Sequence, residues 1–121
     1  MYKGGMDMEI DRGLIGGSTV LMLLALLENG DRYGYEIIKE LKERSDSTFE
    51  FKEGTLYPVL HRMEGAGLVK SYRKEAENGK SRKYYSITAG GIKRLAEEKR
   101  QWQEFTTAVN KVVGGESYAL Y

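Results

Sequence analysis

The sequence predicts a mainly α protein carrying a small two-stranded β ribbon. Three observations predict it. Four stretches place apolar residues at helical spacing; one stretch alternates, turns at Asn78-Gly79 and returns; and basic charge gathers around that ribbon and the helix before it. At 121 residues, 40% hydrophobic and 31% charged, the chain is long enough for one core and too apolar for a disordered polymer.

Residues 1–17 mix charges with Gly4, Gly5, Gly13, Gly16 and Gly17 and read as a flexible N-terminal arm, with Leu14 and Ile15 as its apolar anchors. Ser18 is the expected N-cap of a first helix running through residues 20–27 and ended by Asn29-Gly30. Apolar all round, that helix belongs in the core or in a subunit interface. A second helix, about residues 33–44, sets Ile37, Ile38 and Leu41 on one side and charged residues elsewhere. Ser45-Asp46-Ser47-Thr48 reads as a turn, and Phe49 and Phe51 as core plugs on the way to a third helix over residues 53–66.

The third helix has two unlike faces. At about 100° per residue, Leu56, Val59, Leu60 and Met63 form one stripe, which predicts burial. Gly54, Pro58, His61 and Gly65 lie opposite, flanked by Tyr57 and Arg62, with Pro58 expected within or next to the first turn, where a missing N–H costs little. Residues 68–73 and 82–87 form the ribbon around the Glu77-Asn78-Gly79 turn. A final helix, residues 88–113, spaces Leu95, Trp102 and Val109 seven apart, with Phe105 and Val112 at the alternate heptad positions and Glu98 interrupting the seam. No internal repeat is present.

Helix, helix, helix, ribbon, long helix is the order of a winged helix-turn-helix followed by a C-terminal dimerisation helix, dividing the chain into arm 1–17, winged domain 18–87, dimerisation helix 88–113 and tail 114–121. Charge agrees with a nucleic-acid surface. The formal net charge of +1 resolves into −4 over residues 1–51, +4 over 52–83 and +1 over 84–121, so the basic excess sits on the third helix and the ribbon. A winged helix can also serve protein interfaces, so a protein-interaction module without DNA binding is the competing reading.

Other classes are excluded more firmly. Absence of Cys removes disulfides and thiolate chemistry, and His61 alone cannot build a multi-histidine metal centre. No paired acids in a cleft motif, no phosphate-cradling glycine loop and no metal-ligand spacing point to an enzyme, and no cofactor is expected. The longest apolar run, residues 20–27, is far below the roughly 20 residues of a membrane span. With no secretory layout at Met1-Tyr2-Lys3-Gly4-Gly5, a cytoplasmic protein is expected.

Four motifs carry a family resemblance: Tyr33-Gly34-Tyr35-Glu36-Ile37; Gly54-Thr55-Leu56-Tyr57-Pro58-Val59-Leu60-His61-Arg62-Met63-Glu64; Gly67-Leu68-Val69; and Arg82-Lys83-Tyr84-Tyr85-Ser86-Ile87-Thr88 with Gly91. In order and spacing, from about Thr19 to Gln103, the chain resembles the PadR transcriptional regulators, and with one long helix after the wing it is similar to their short forms. The resemblance implies a dimeric repressor of prokaryotes whose hold on a palindromic operator is lowered by a small molecule.

Candidate DNA contacts follow from the faces. On the third helix, Thr55, Tyr57, Pro58, His61 and Arg62 are the residues that would meet bases or phosphates, although Tyr57 could instead pack as a rim aromatic and His61 be merely solvated. Lys80, Arg82 and Lys83 flank the wing turn, where Glu75 and Glu77 dilute their potential. Tyr33 and Tyr35 start the second helix, where a hydroxyl can reach phosphate or one ring can enter the core. Met22, Leu26, Leu95, Trp102, Phe105 and Val109 are the expected dimer or effector surface. Heptad packing accounts for most of that pattern; by the resemblance, Trp102 stands where short members line a planar-ligand site between subunits.

Overall fold

The computed structural model describes residues 12–114. In chain order the elements are α1 (Arg12–Glu28), β1 (Arg32–Tyr33), α2 (Gly34–Arg44), α3 (Glu53–Gly65), β2 (Val69–Glu75), β3 (Ser81–Ile87) and α4 (Ala89–Val113). The core is built where the apolar periodicities converge: Leu23, Leu24 and Leu27 from α1, Ile37 and Leu41 from α2, Leu56, Leu60 and Met63 from α3, Val69 and Tyr85 from the sheet, and Leu95 from α4. Phe51 and Val59 pack against it.

The structure corrects three expectations. α1 starts at Arg12, so the expected arm is helical from there on, while residues 1–11 lie outside the described residues. Each interior glycine costs a helix about 1 kcal/mol and does not forbid it, so Gly16 and Gly17 are carried through, and Ser18 is a buried helical residue where a cap was expected. The ribbon is the larger part of a three-stranded antiparallel sheet, ordered β1-β3-β2, because Arg32 and Tyr33 pair with Tyr85 and Tyr84. Two residues are too few to display strand alternation. Tyr33 is accordingly strand and N-cap to α2, its N–H donating to Glu36 Oε1 (3.2 Å). Pro58 lies next to the first turn of α3, as expected, and there withholds a helical hydrogen bond from the Gly54 carbonyl on the exposed side.

Two local devices fix α3 and α4 against the sheet. At the end of α3, Leu68 N donates to the Met63 carbonyl (2.9 Å) and Gly67 N to the Glu64 carbonyl (3.0 Å), a Schellman close that needs a left-handed residue and finds it in Gly67 (φ 79°). Thr88 caps α4: its Oγ1 accepts from Gly91 N (2.9 Å) and donates to the Gly67 carbonyl (2.6 Å).

Arg32, which no sequence motif flagged, ties the α1 end to α2. Its Nη1 donates to the Leu26 and Gly30 carbonyls (2.6 and 2.8 Å), and Nη2 to Glu40 (3.0 Å), whose carboxylate also receives Arg44 (2.6 Å). Partial burial works against the Glu40 charge, but hydrogen bonds and attraction from the two guanidinium groups outweigh it and hold that carboxyl below its ordinary range.

Candidate nucleic-acid interface

α3 turns its polar side outward. Leu56 and Leu60 are fully buried, whereas Gly54, Thr55, Pro58, His61, Arg62 and Gly65 are exposed, so nothing of the chain's own described body covers that face. With glycine and proline along it, the face is low, and a partner surface can approach the backbone. Tyr57 stands at its flank, 39% exposed, with its ring laid against Gly34 at the start of α2. Burial, then the neighbouring Glu53, pushes the Tyr57 hydroxyl up from its ordinary value. Tyr35 is exposed nearby.

The wing stands beside this face. β2 and β3 run in register from Val69↔Ile87 to Glu75↔Ser81, and the turn closes with Ala76 N donating to the Lys80 carbonyl (2.7 Å). Tyr33, Tyr84 and Tyr72 align across the three strands: Tyr33 meets Tyr84 edge-on (5.4 Å between centroids) and Tyr72 stacks on Tyr84 (5.7 Å). Cations lie on these rings, with Arg82 4.5 Å from the Tyr33 centroid and Lys74 5.5 Å from that of Tyr84. Tyr72 Oη donates to Asp31 (2.6 Å), fastening β2 to the α1–β1 connection, and that bond pushes the Tyr72 hydroxyl up to about 12. These contacts tie the wing to the body.

Electrostatics distinguishes this region from the rest. Among the described residues the ion pairs use Arg32, Lys42, Arg44, Arg94, Lys99 and Arg100, and none uses Lys52, Arg62, Lys70, Arg73, Lys74, Lys80, Arg82 or Lys83. The segment that holds the basic excess therefore keeps its cations out of ion pairs and, against Glu53, Glu64, Glu75 and Glu77, retains a net positive charge beside an open helix face, which favours a polyanion.

The second expected surface divides in two. Leu26 and Leu95, placed by periodicity on the pairing side, are buried in the protomer's own core at 3% and 1% exposure, and Met22 is half-buried. α4 packs on α1 through its first turns, as far as Lys99 and Glu28 (3.4 Å), and then runs on past the body. Beyond that point the described residues leave the same stripe exposed: Trp102 is 45%, Phe105 55% and Val109 39% exposed, with Val112 and Val113 following. The Trp102 and Phe105 rings lie 6.3 Å apart. No helix of the described residues is long and apolar enough to cross a membrane, and none of those residues forms a metal-ligating group of three.

Fold and surface together define a winged-helix DNA-binding protein. The chain belongs to the Transcriptional regulator PadR-like family, which matches residues 23–97. It is similar to a transcriptional regulator from Clostridium thermocellum (37% identity, TM-score 0.75, covering 82% of this chain and 96% of that one). A PadR family transcription regulator from Clostridium difficile R20291 is similar too (38%, TM-score 0.72, 79% and 98%). So is the transcriptional regulator Rv3488 of Mycobacterium tuberculosis, 35% identical over 64% of this chain and 68% of its own. The protein is accordingly a DNA-binding transcription regulator and not an enzyme.

Proposed function

We propose that this protein is a homodimeric repressor that binds a palindromic operator and is released by a planar aromatic effector held between its subunits. One observation carries the reading: the open outer face of α3 and the unpaired cations of the wing lie on the same molecule as an apolar stripe on the second half of α4 that the described residues leave exposed. The stripe gives a two-fold partner something to bury, and a two-fold dimer presents two α3 helices to successive major grooves about 34 Å apart.

In that arrangement Thr55, Pro58, His61 and Arg62 meet the groove. Arg62 is the side chain able to pair with a guanine edge, and Thr55 and His61 supply shorter polar contacts. Tyr35 and Tyr33, at the α2 N-terminus, offer hydroxyl groups to phosphate, while Lys80, Arg82 and Lys83 hold the neighbouring backbone and position more than they read. Trp102 and Phe105 supply flat apolar surface for an aromatic ligand near the two-fold axis, with Met22 on the α1 side. A ligand seated there releases DNA only if it prefers the arrangement with the wrong α3 spacing.

Selection of bound duplexes from genomic DNA by the purified protein tests this. The expected product is an inverted repeat with half-sites one helical turn apart, bound with a steep loss of affinity on raising salt. Repeating the selection with planar aromatic compounds, while Trp102 fluorescence is followed, tests release: a compound that quenches Trp102 should lower operator affinity. Recovery of unrelated duplexes with no symmetry sinks the dimeric-repressor reading.

A further inference from the structure

We propose that Gly34 is a positioning residue for DNA recognition: by having no side chain, it makes a seat for the Tyr57 ring that fixes α3 against α2 and keeps the ring off the DNA-facing side. This rests on the reading that α3 is the helix that meets the groove.

The geometry is specific to the pair. A Cβ built on Gly34 would collide with Tyr57 Oη, stand 2.6 Å from its Cζ and 3.0 Å from its Cε1. These are the far atoms of a stiff ring, so the whole ring must leave. Gly34 is buried at the first position of α2, and Tyr57 lies mid-way along α3 with Pro58 beside it. The ring therefore bridges the two helices whose mutual angle aims the exposed Thr55, His61 and Arg62. On leaving its seat it either pushes α3 away from α2 or swings out along the flank into the space a duplex would occupy. Both disturb recognition. Backbone conformation does not account for a glycine here, since Gly34 has no positive φ, and alanine is the better helix former. The ring, and not the chain path, requires it.

The test is the effect of Gly34→Ala measured in three backgrounds: the wild-type Tyr57, Tyr57→Phe, which keeps Cζ, and Tyr57→Leu, which lacks every colliding atom. The readout is the ratio of affinity for the selected operator to that for an unrelated duplex of equal length, with thermal unfolding alongside. In the wild-type and Tyr57→Phe backgrounds, Gly34→Ala should lower that ratio at least tenfold. In the Tyr57→Leu background it should change the ratio less than threefold and leave the midpoint of unfolding equal or higher. Should the single Gly34→Ala chain fail to fold, Tyr57→Leu must restore folding. An equal loss in all three backgrounds, or no loss in any, overturns the proposal. Failure of the wild-type chain to favour any duplex instead removes the reading on which it rests.

Discussion

Replacing Trp102 by alanine tests the proposed dimer directly, because the residue is large, exposed and outside the core of the chain. A tryptophan side chain carries about 200 Å² of surface, so at 45% exposure roughly 90 Å² is available for a partner to cover. At about 25 cal/mol per Å² that amounts to about 2 kcal/mol per copy, and a two-fold interface loses it twice. About 4 kcal/mol corresponds to roughly three decades in the dimer dissociation constant, and ordering of side chains at the interface brings the expectation down to about 100- to 1000-fold. Sedimentation velocity over a dilution series measures it. Arg100→Ala serves as the control, since at about 100° per residue Arg100 lies on the far side of α4 from Trp102, and its pairing with Glu104 is exposed at 3.0 Å. Its loss should leave dimerisation unchanged. If Trp102→Ala dissociates at the same concentration as wild type, or if Arg100→Ala weakens the dimer as much, the stripe is not the pairing surface.

Other perturbations reach separate parts of the molecule. Leu60→Ala empties a fully buried site beneath the recognition face and should cost about 2–5 kcal/mol in urea unfolding; a loss below about 1 kcal/mol contradicts the placement of that stripe in the core. Arg62→Ala should cost about 1–3 kcal/mol of operator binding and relax sequence preference, whereas Lys83→Ala should weaken all duplexes alike and reduce the salt slope by about one; identical behaviour of the two variants removes the division between reading and positioning. Tyr72, hydrogen-bonded to Asp31, has its hydroxyl raised to about 12, above the unfolded value of about 10. Its contribution to stability is therefore intact below pH about 10 and is lost as pH rises toward about 12. Near-ultraviolet titration should show a late Tyr72 step, which Asp31→Asn brings back toward the ordinary range while the Tyr57 hydroxyl stays raised by its own burial; a titration curve unchanged by Asp31→Asn would falsify the assignment.

Much of this was legible in the sequence because periodicity reports burial directly. The Leu56–Leu60–Met63 stripe fixed which side of α3 is buried, the Asn78-Gly79 turn located the wing, and Thr88 marked the start of α4. What stayed hidden depends on pairs distant in the chain. Tyr72 and Asp31 are 41 residues apart, Arg32 acts through backbone carbonyls, and the Gly34–Tyr57 fit is a matter of shape between two helices. β1 is too short to alternate, and Gly16-Gly17 broke the pattern of a helix that nonetheless runs through them.

The heptad in α4 illustrates the limit most sharply. Leu95 and Trp102 occupy equivalent positions of one repeat, and no spacing argument separates them, yet one is 1% and the other 45% exposed. The difference lies in where α1 ends: up to Lys99, opposite Glu28, the stripe has a neighbour within its own chain, and after it the helix outruns the body. A 25-residue helix is about 37 Å long at 1.5 Å per residue, more than the other helices need to cover. A single apolar repeat therefore builds two structures in succession, a protomer core and then an open seam.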